Sequence, residues 1–299
     1  MNWRRLALIA TSACTLLLTL PGLAADAMQV RYVDASQMKH NPNNAYFGQL
    51  LQLALEKSVD KYGPYQLTPI DIDISQRRHF RELDNGIINV FWTMTNYRRE
   101  TEALPVRVPL MKGVYGLRLL ASNPRDLDTL ASVKTQAELA AFSFIQGLDW
   151  PDTQILRLNR LEVSTEVSEG DMYEFTRRHP GHLFPRAVTE LYAETDSGGY
   201  YDLANERHLL LRYPAVMYFF VAKDNQQLAE RLEFGLRAAM ADGSFDKLFY
   251  GFAPHREALR QAQLSERTLI NLSNPLLPQT ADEQAVLKLQ DEVIAHQLQ

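Results

Sequence analysis

The sequence predicts an α/β protein, and three observations predict it. Residues 28–92 read as strand, helix, strand, helix, strand, the order of a parallel sheet covered by helices. A further apolar strand at residues 114–121, beyond Pro105 and Pro109, opens a second such unit. The length of 299 residues and the 46% hydrophobic composition supply apolar material for a large core in two lobes.

Each element has its own warrant. Residues 28–33 alternate as a strand and end at Asp34-Ala35-Ser36, and residues 41–44 are turn chemistry. Residues 46–62 follow a helical period that places Phe47, Leu50, Leu51, Ala54, Leu55 and Val59 on one face. Gly63-Pro64 stops that helix, residues 65–74 form the second strand, and Asn85-Gly86 closes a short helix at 78–83. Residues 87–92 are the third strand. Ligands of such sheets sit beyond the carboxyl ends of the strands, where Asp34, Ser36, Thr93 and Thr95 fall. In the second unit, Thr135 and Glu138 spell a capping box before a short helix, and a strand follows at 142–145. The loop 146–153 then opens onto a helix at 154–158. A glycine-containing loop feeding a helix offers backbone N–H groups to an anion, and a plain connection has the same pattern. Residues 172–178 are helical, and 182–185 lead through Arg186 into a helix at 187–194. Strands at 209–213 and 216–222 flank Pro214. Leu228, Leu232, Leu236 and Met240 mark the helix 227–241, which Asp242-Gly243 caps before a short amphipathic helix from Ser244. The tail from Pro254 reads as helix, then a proline-rich stretch at 274–278, then a polar helix.

The N-terminus is a targeting segment. Arg4 and Arg5 precede an apolar run over residues 6–20, Pro21-Gly22 breaks it, and Ala24, Ala25 and Ala27 offer a cleavage site. No other run is long and apolar enough to span a bilayer. The one cysteine, Cys14, lies inside this segment, so the exported chain needs no disulfide and no thiolate-bound metal. The net charge of -5 carries no basic cluster, which excludes a nucleic-acid footprint.

Candidate chemistry concentrates in Val90-Phe91-Trp92-Thr93-Met94-Thr95-Asn96-Tyr97-Arg98-Arg99-Glu100. An apolar strand runs into two hydroxyls and an arginine pair. Thr93, Thr95 and Arg98 at such a rim suit a carboxylate or phosphate, because arginine's planar fork binds both oxygens. A strand end with a solvated arginine pair is the plainer reading. Elsewhere the seven histidines are scattered without metal-ligand spacing, and the Ser-x-x-Lys matches at Ser36–Lys39 and Ser58–Lys61 lack their companion motifs. Neither a catalytic constellation nor a cofactor or metal site is expected.

The order of parts over residues 28–252 resembles the periplasmic solute-binding proteins of the amino-acid-binding type (bacterial family 3). Gly86-Ile87-Ile88-Asn89-Val90, running on through Thr93-Met94-Thr95-Asn96-Tyr97-Arg98, is similar to that family's Gly-x-x-Asp, apolar run, and Thr-x-Thr-x-x-Arg. Lys223-Asp224-Asn225, a helix, Asp242-Gly243-Ser244 and Lys247-Leu248-Phe249 resemble its closing segment. The resemblance implies a two-lobed periplasmic-binding fold of type II, each lobe a sheet flanked by helices, joined by two hinge strands. Residues 1–27 are then a signal peptide, 28–108 and 216–254 one lobe, 109–215 the other, and 255–299 a helical tail that exceeds the family core.

By that match Arg98 grips a ligand carboxylate with Thr93 beside it, and Thr95 completes the rim. Trp92 supplies an aromatic wall, Asp34 or Ser36 sits at the first strand's mouth, and Phe47 or Tyr46 lies nearby. Gln146 and Gly147 present donors from the second lobe, with Trp150 in the same loop. The sequence departs where the family carries an aspartate for an α-ammonium: here Arg186 stands adjacent and Glu190 follows one turn on. A cleft-facing Arg186 repels an ammonium unless Glu190 substitutes. The implied function is capture of a small, carboxylate-bearing solute for an ABC permease or a membrane sensor, by a monomeric, non-enzymatic periplasmic protein. A ligand-independent interaction protein, or an enzyme in the same cleft, are the competing classes.

Overall fold

The N-terminal alternation folds as a parallel pair. β1 (Met28–Val33) runs in register with β2 (Tyr65–Ile70), from Met28 opposite Tyr65 to Val33 opposite Ile70. The structure, a computed structural model, describes residues 26–34, 44–72, 74 and 76–296. The targeting segment through residue 25, Cys14 and Ser36 lie outside the described residues. Between the strands, the single helix expected at 46–62 is two: α1 (Asn44–Glu56) and α2 (Val59–Tyr62). Ser58 breaks it, its hydroxyl donating back to the Leu55 carbonyl at 2.6 Å. After α3 (Gln76–Asp84), the chain enters β3 (Val90–Met94), then α4 (Tyr97–Glu102) and β4 (Leu104–Val106).

The expected all-parallel order fails at β3. Its partner is β10 (Met217–Val221), which runs antiparallel to both β3 and β4. Asn89 joins this three-stranded sheet to the β1–β2 pair. Its backbone N–H donates to the Arg31 carbonyl at 2.8 Å, and its side-chain oxygen accepts from Arg31 N–H at 2.9 Å. Asn89 is thus a staple between strands.

The third sheet has six strands. The chain passes through β5 (Leu117–Ala121), α5 (Leu127–Leu130), α6 (Gln136–Leu139), β6 (Ser143–Ile145), α7 (Pro151–Leu158), β7 (Glu162–Ser164), α8 (Met172–Arg178), β8 (His182–Ala187), α9 (Val188–Gly198) and β9 (Leu209–Arg212). After β10 come α10 (Gln226–Ala241), α11 (Ser244–Gly251), α12 (Ala253–Ala262), β11 (Thr268–Asn271) and α13 (Glu283–His296). The sheet order is β11-β9-β5-β8-β6-β7. The capping box at Thr135 and Glu138 is present in full.

Three strands of this sheet escape the sequence reading, the short outer β7 among them. β8 contains Pro185, which ordinarily marks a strand edge or a break. Here the recorded pairing with β6 covers only His182 and Leu183, so no ladder bond toward β6 needs the missing N–H. β11 lies in the tail expected to be helical and pairs in parallel with β9. The apolar core runs unbroken from one sheet to the other, through Leu110, Met111 and Val114 on one crossing segment and Tyr213 and Ala215 on the other.

Candidate ligand site at the junction of the lobes

The cap of α4 decides which arginine faces inward. Asn96, in extended conformation, is the N-cap, and its side-chain oxygen accepts from the Arg99 N–H. The third helical residue is therefore Arg99, whose side chain folds back over the end of β3. Its guanidinium donates to the Thr93 hydroxyl at 2.6 Å and to the Met94 carbonyl at 2.8 Å. Burial pulls Arg99 down to about 10, against the favourable pull of Asp152 from the second lobe. Arg98, the residue expected to grip the ligand, sits one position earlier on the outer face. Its side chain is 66% exposed and paired with Glu102 at 2.8 Å. The expected inward Arg98 thus faces outward, because Asn96 caps the helix and makes Arg99 its third residue.

The remaining first-lobe residues divide. Thr93 meets the inward arginine, whereas Thr95 donates to Glu100 at 2.7 Å. Glu100 in turn holds Arg107 through both oxygens, so Thr95 belongs to a different cluster. Trp92 is half-buried and stacks on Phe47, with ring centroids 5.1 Å apart. Phe47 is wholly inside the core and supports Trp92 from beneath. Asp34 is half-buried just past β1, its backbone N–H donating to the Ile70 carbonyl.

The second lobe presents a buried ionic network. Arg118 on β5 donates to the Tyr213 hydroxyl at 2.9 Å, binds Asp152 at 2.6 Å, and lies 3.6 Å from Glu190. It also reaches the Met94 sulfur at 3.7 Å, which ties the network to β3. Tyr213 in turn donates to Asp152. Arg186 on β8 makes a paired contact with Glu194 at 2.6 and 2.7 Å and lies 3.2 Å from Glu190. Burial opposes the charge on Arg118 and Arg186, yet the facing carboxylates win and raise both. Burial raises Glu194 despite its arginine, and Tyr173 donates to it at 2.7 Å. Glu190 accepts the Ala187 N–H at 3.0 Å, closing the first turn of α9.

Gln146, Gly147 and Trp150 form a roof over this network. The Gln146 amide donates to the Pro185 carbonyl at 3.2 Å, while its buried oxygen has no hydrogen-bond partner in the structure. Gly147 lies under the Trp150 indole, where a Cβ would come within 2.7 Å of the ring. Trp150 covers the Arg186 guanidinium, 5.1 Å from its ring centroid. Arg186 is therefore neutralised by two glutamates, Glu190 among them, and capped by an indole. Sequence reasoning missed Arg99, Arg118, Asp152, Tyr213, Glu194 and Tyr173. One signal was present: Arg118 is a charge within Leu117-Arg118-Leu119-Leu120-Ala121, a strand buried at every position. Among the described residues, no cluster of histidine, cysteine or acidic side chains has metal-binding geometry.

The fold is a two-lobed α/β architecture with charged groups buried between its sheets. No family model matches the chain, and no curated protein does. Solved structures do. A putative binding component of an ABC transporter from Wolinella succinogenes, complexed with lysine, superposes with a TM-score of 0.53 at 13% identity, over 75% of this chain and 94% of that one. An ancestral amino-acid-binding protein, a precursor of cyclohexadienyl dehydratase, gives 0.53 at 10% identity over 76% and 94%. An ancestral arginine-binding protein bound to arginine gives 0.51 at 14% identity over 77% and 99%. The chain has the fold of the amino-acid-binding periplasmic proteins, at identities that mark it as divergent from them.

Proposed function

We propose that this chain is an exported solute-binding protein that holds a small carboxylate-bearing solute between its lobes, for an ABC-type permease or a membrane sensor. The observation that carries the reading is Arg99. Its guanidinium stays at the end of β3, clamped by Thr93 and Met94, in surroundings that disfavour its charge. A carboxylate there accepts two parallel charge-assisted bonds. Gln146 contributes a buried acceptor from the opposite lobe. The ligand expected is an acid without an α-ammonium, because each junction carboxylate (Asp152, Glu190 and Glu194) already holds an arginine. The roles are binding and orientation rather than catalysis, and Arg99 takes the part first expected of Arg98. The lobes correspond to residues 28–108 with 216–254, and 109–215, behind a signal peptide of about 27 residues.

The test is a thermal-shift screen of small carboxylates, amino acids, nucleotides and oligosaccharides. A true ligand at 100 times its dissociation constant stabilises by about 2.7 kcal/mol. A specific observation also favours the ligand-independent reading: the Arg118–Asp152 and Arg186–Glu194 pairs are satisfied internally. Silence across the whole screen supports that reading over capture of a solute.

A further inference from the structure

The segment after α12 does more than extend the chain. Its first part is fixed in the second lobe, where β11 pairs with β9 from Thr268 opposite Leu209 to Asn271 opposite Arg212. Its middle is fixed in the first lobe, where Leu277, Ala281 and Val286 pack into one cluster with Phe91, Val216 and Phe220. Thr280 also reaches Glu100 of the α4 region at 3.4 Å. One continuous stretch is thus anchored in both lobes.

Between and just beyond those anchors, at Asn274 and Gln290, it grips both connections that any hinge motion must bend. The chain crosses from β4 to β5 through residues 107–116 and returns from β9 to β10 through 213–216. The Gln290 amide donates to the Gly113 carbonyl at 2.9 Å and the Tyr213 carbonyl at 3.0 Å, one on each crossing. Asn274 donates to the Pro214 carbonyl at 2.8 Å. Tyr213 N–H donates to the Gly116 carbonyl at 3.0 Å, so the crossings also hold each other. The sequence has made room for this contact. A Cβ on Gly116 would fall 2.0 Å from the Tyr213 oxygen and 2.5 Å from the Gln290 amide nitrogen. One on Gly113, at φ 75°, would fall 2.9 Å from the Gln290 side chain.

We propose that the C-terminal stretch from β11 through α13 is a strap that holds the two lobes at one separation, so that α13 must lift from the crossings before the lobes part. The physical reason lies in the peptide planes. Hinge bending rotates the carbonyls of the residues that absorb the change in φ and ψ. A single side-chain amide with two N–H donors keeps both bonds only at one relative orientation of the Gly113 and Tyr213 carbonyls. The strap therefore biases a motion that the two-lobed fold otherwise allows, and it does so whether or not a solute binds.

The test needs no ligand. Spin labels are placed at Gln66→Cys on β2 and Glu162→Cys on β7, both exposed, in a chain carrying Cys14→Ser to remove the only native thiol. The strapped protein is expected to give one narrow interlobe distance. Gln290→Glu with Asn274→Ala, which removes the bridging donors, is expected to add a second, longer distance. Two distances in the strapped protein, or an unchanged single distance in a folded strap variant, overturn the proposal. Hydrogen exchange on the unmutated protein gives an independent reading should that variant fail to fold. The Gly116 and Tyr213 amides are expected to exchange as slowly as those of β5, and fast exchange at the crossings overturns the strap.

Discussion

Replacing Arg99 by methionine separates a binding arginine from a structural one. The methionine keeps most of the apolar stem and removes the charge. Arg99 stands at about 10, well below arginine's ordinary value, so burial disfavours its charged form by about 3 kcal/mol net of its partners. The change also takes a donor from the Thr93 hydroxyl and the Met94 carbonyl, at about 1 kcal/mol each. The relief and the loss nearly cancel. The ligand-free variant is expected to be unchanged or up to about 2 kcal/mol more stable, a rise of a few degrees in Tm at about 2–4 °C per kcal/mol. Its ligand-induced shift is expected to vanish. Arg98→Ala is the control: it removes only an exposed pair with Glu102, worth a few tenths of a kcal/mol, and leaves the ligand response intact. Urea melts with and without the best hit of the screen read both quantities. A variant at Arg99 that loses more than about 2 kcal/mol yet keeps its ligand response refutes the reasoning.

Three further outcomes follow from the same structure. His255, buried between Tyr46, Phe249 and Phe252, is lowered to about 4 by burial, against the Phe249 carbonyl that its Nδ1 meets at 3.1 Å. Its contribution is fully present above about pH 6.5, where the unfolded chain is also neutral. It is lost as pH falls from about 6.5 to 4, a loss of about 3 kcal/mol that His255→Phe should flatten in urea melts across that range. Asp152→Ala leaves Arg118, only 3% exposed, without its 2.6 Å partner. That is expected to destabilise by about 3–5 kcal/mol, read as a drop in Tm on the order of 10 °C. Thr135→Ala removes half of the capping box before α6 and should cost about 1 kcal/mol in the urea midpoint.

Local chemistry was legible wherever one residue type settles one geometry. The Thr135–Glu138 box, the stop at Gly63, and the leucine rows of α10 stand where their spacing puts them. What escaped was decided by contacts between distant segments. Whether Arg98 or Arg99 turns inward depends on which of Thr95 and Asn96 caps α4, and both are ordinary caps. Thr95 is diverted by Glu100, which itself answers to Arg107. β8 and β11 are strands because a neighbouring edge receives them, not because of their own pattern: one carries Pro185, the other is four residues long. The network around Arg118 and Arg186 draws on β5, α7, β8, α9 and the Tyr213 crossing, and no spacing along the chain announces such a convergence. The arginine within an all-apolar strand was its one visible trace.

The position of β11 bears on how the molecule is made. Synthesis and folding proceed from the N-terminus, and β9 has emerged some sixty residues before its outer neighbour Thr268–Asn271. Until that neighbour arrives, the rim of the six-stranded sheet at Leu209–Arg212 presents bare peptide groups flanked by leucines, a ready template for a stray strand from another molecule. The nascent chain thus passes through an interval of vulnerability that only its own closing residues end. A truncation at residue 263 would make the interval permanent, and such a product should sediment as aggregates while the intact chain stays dispersed.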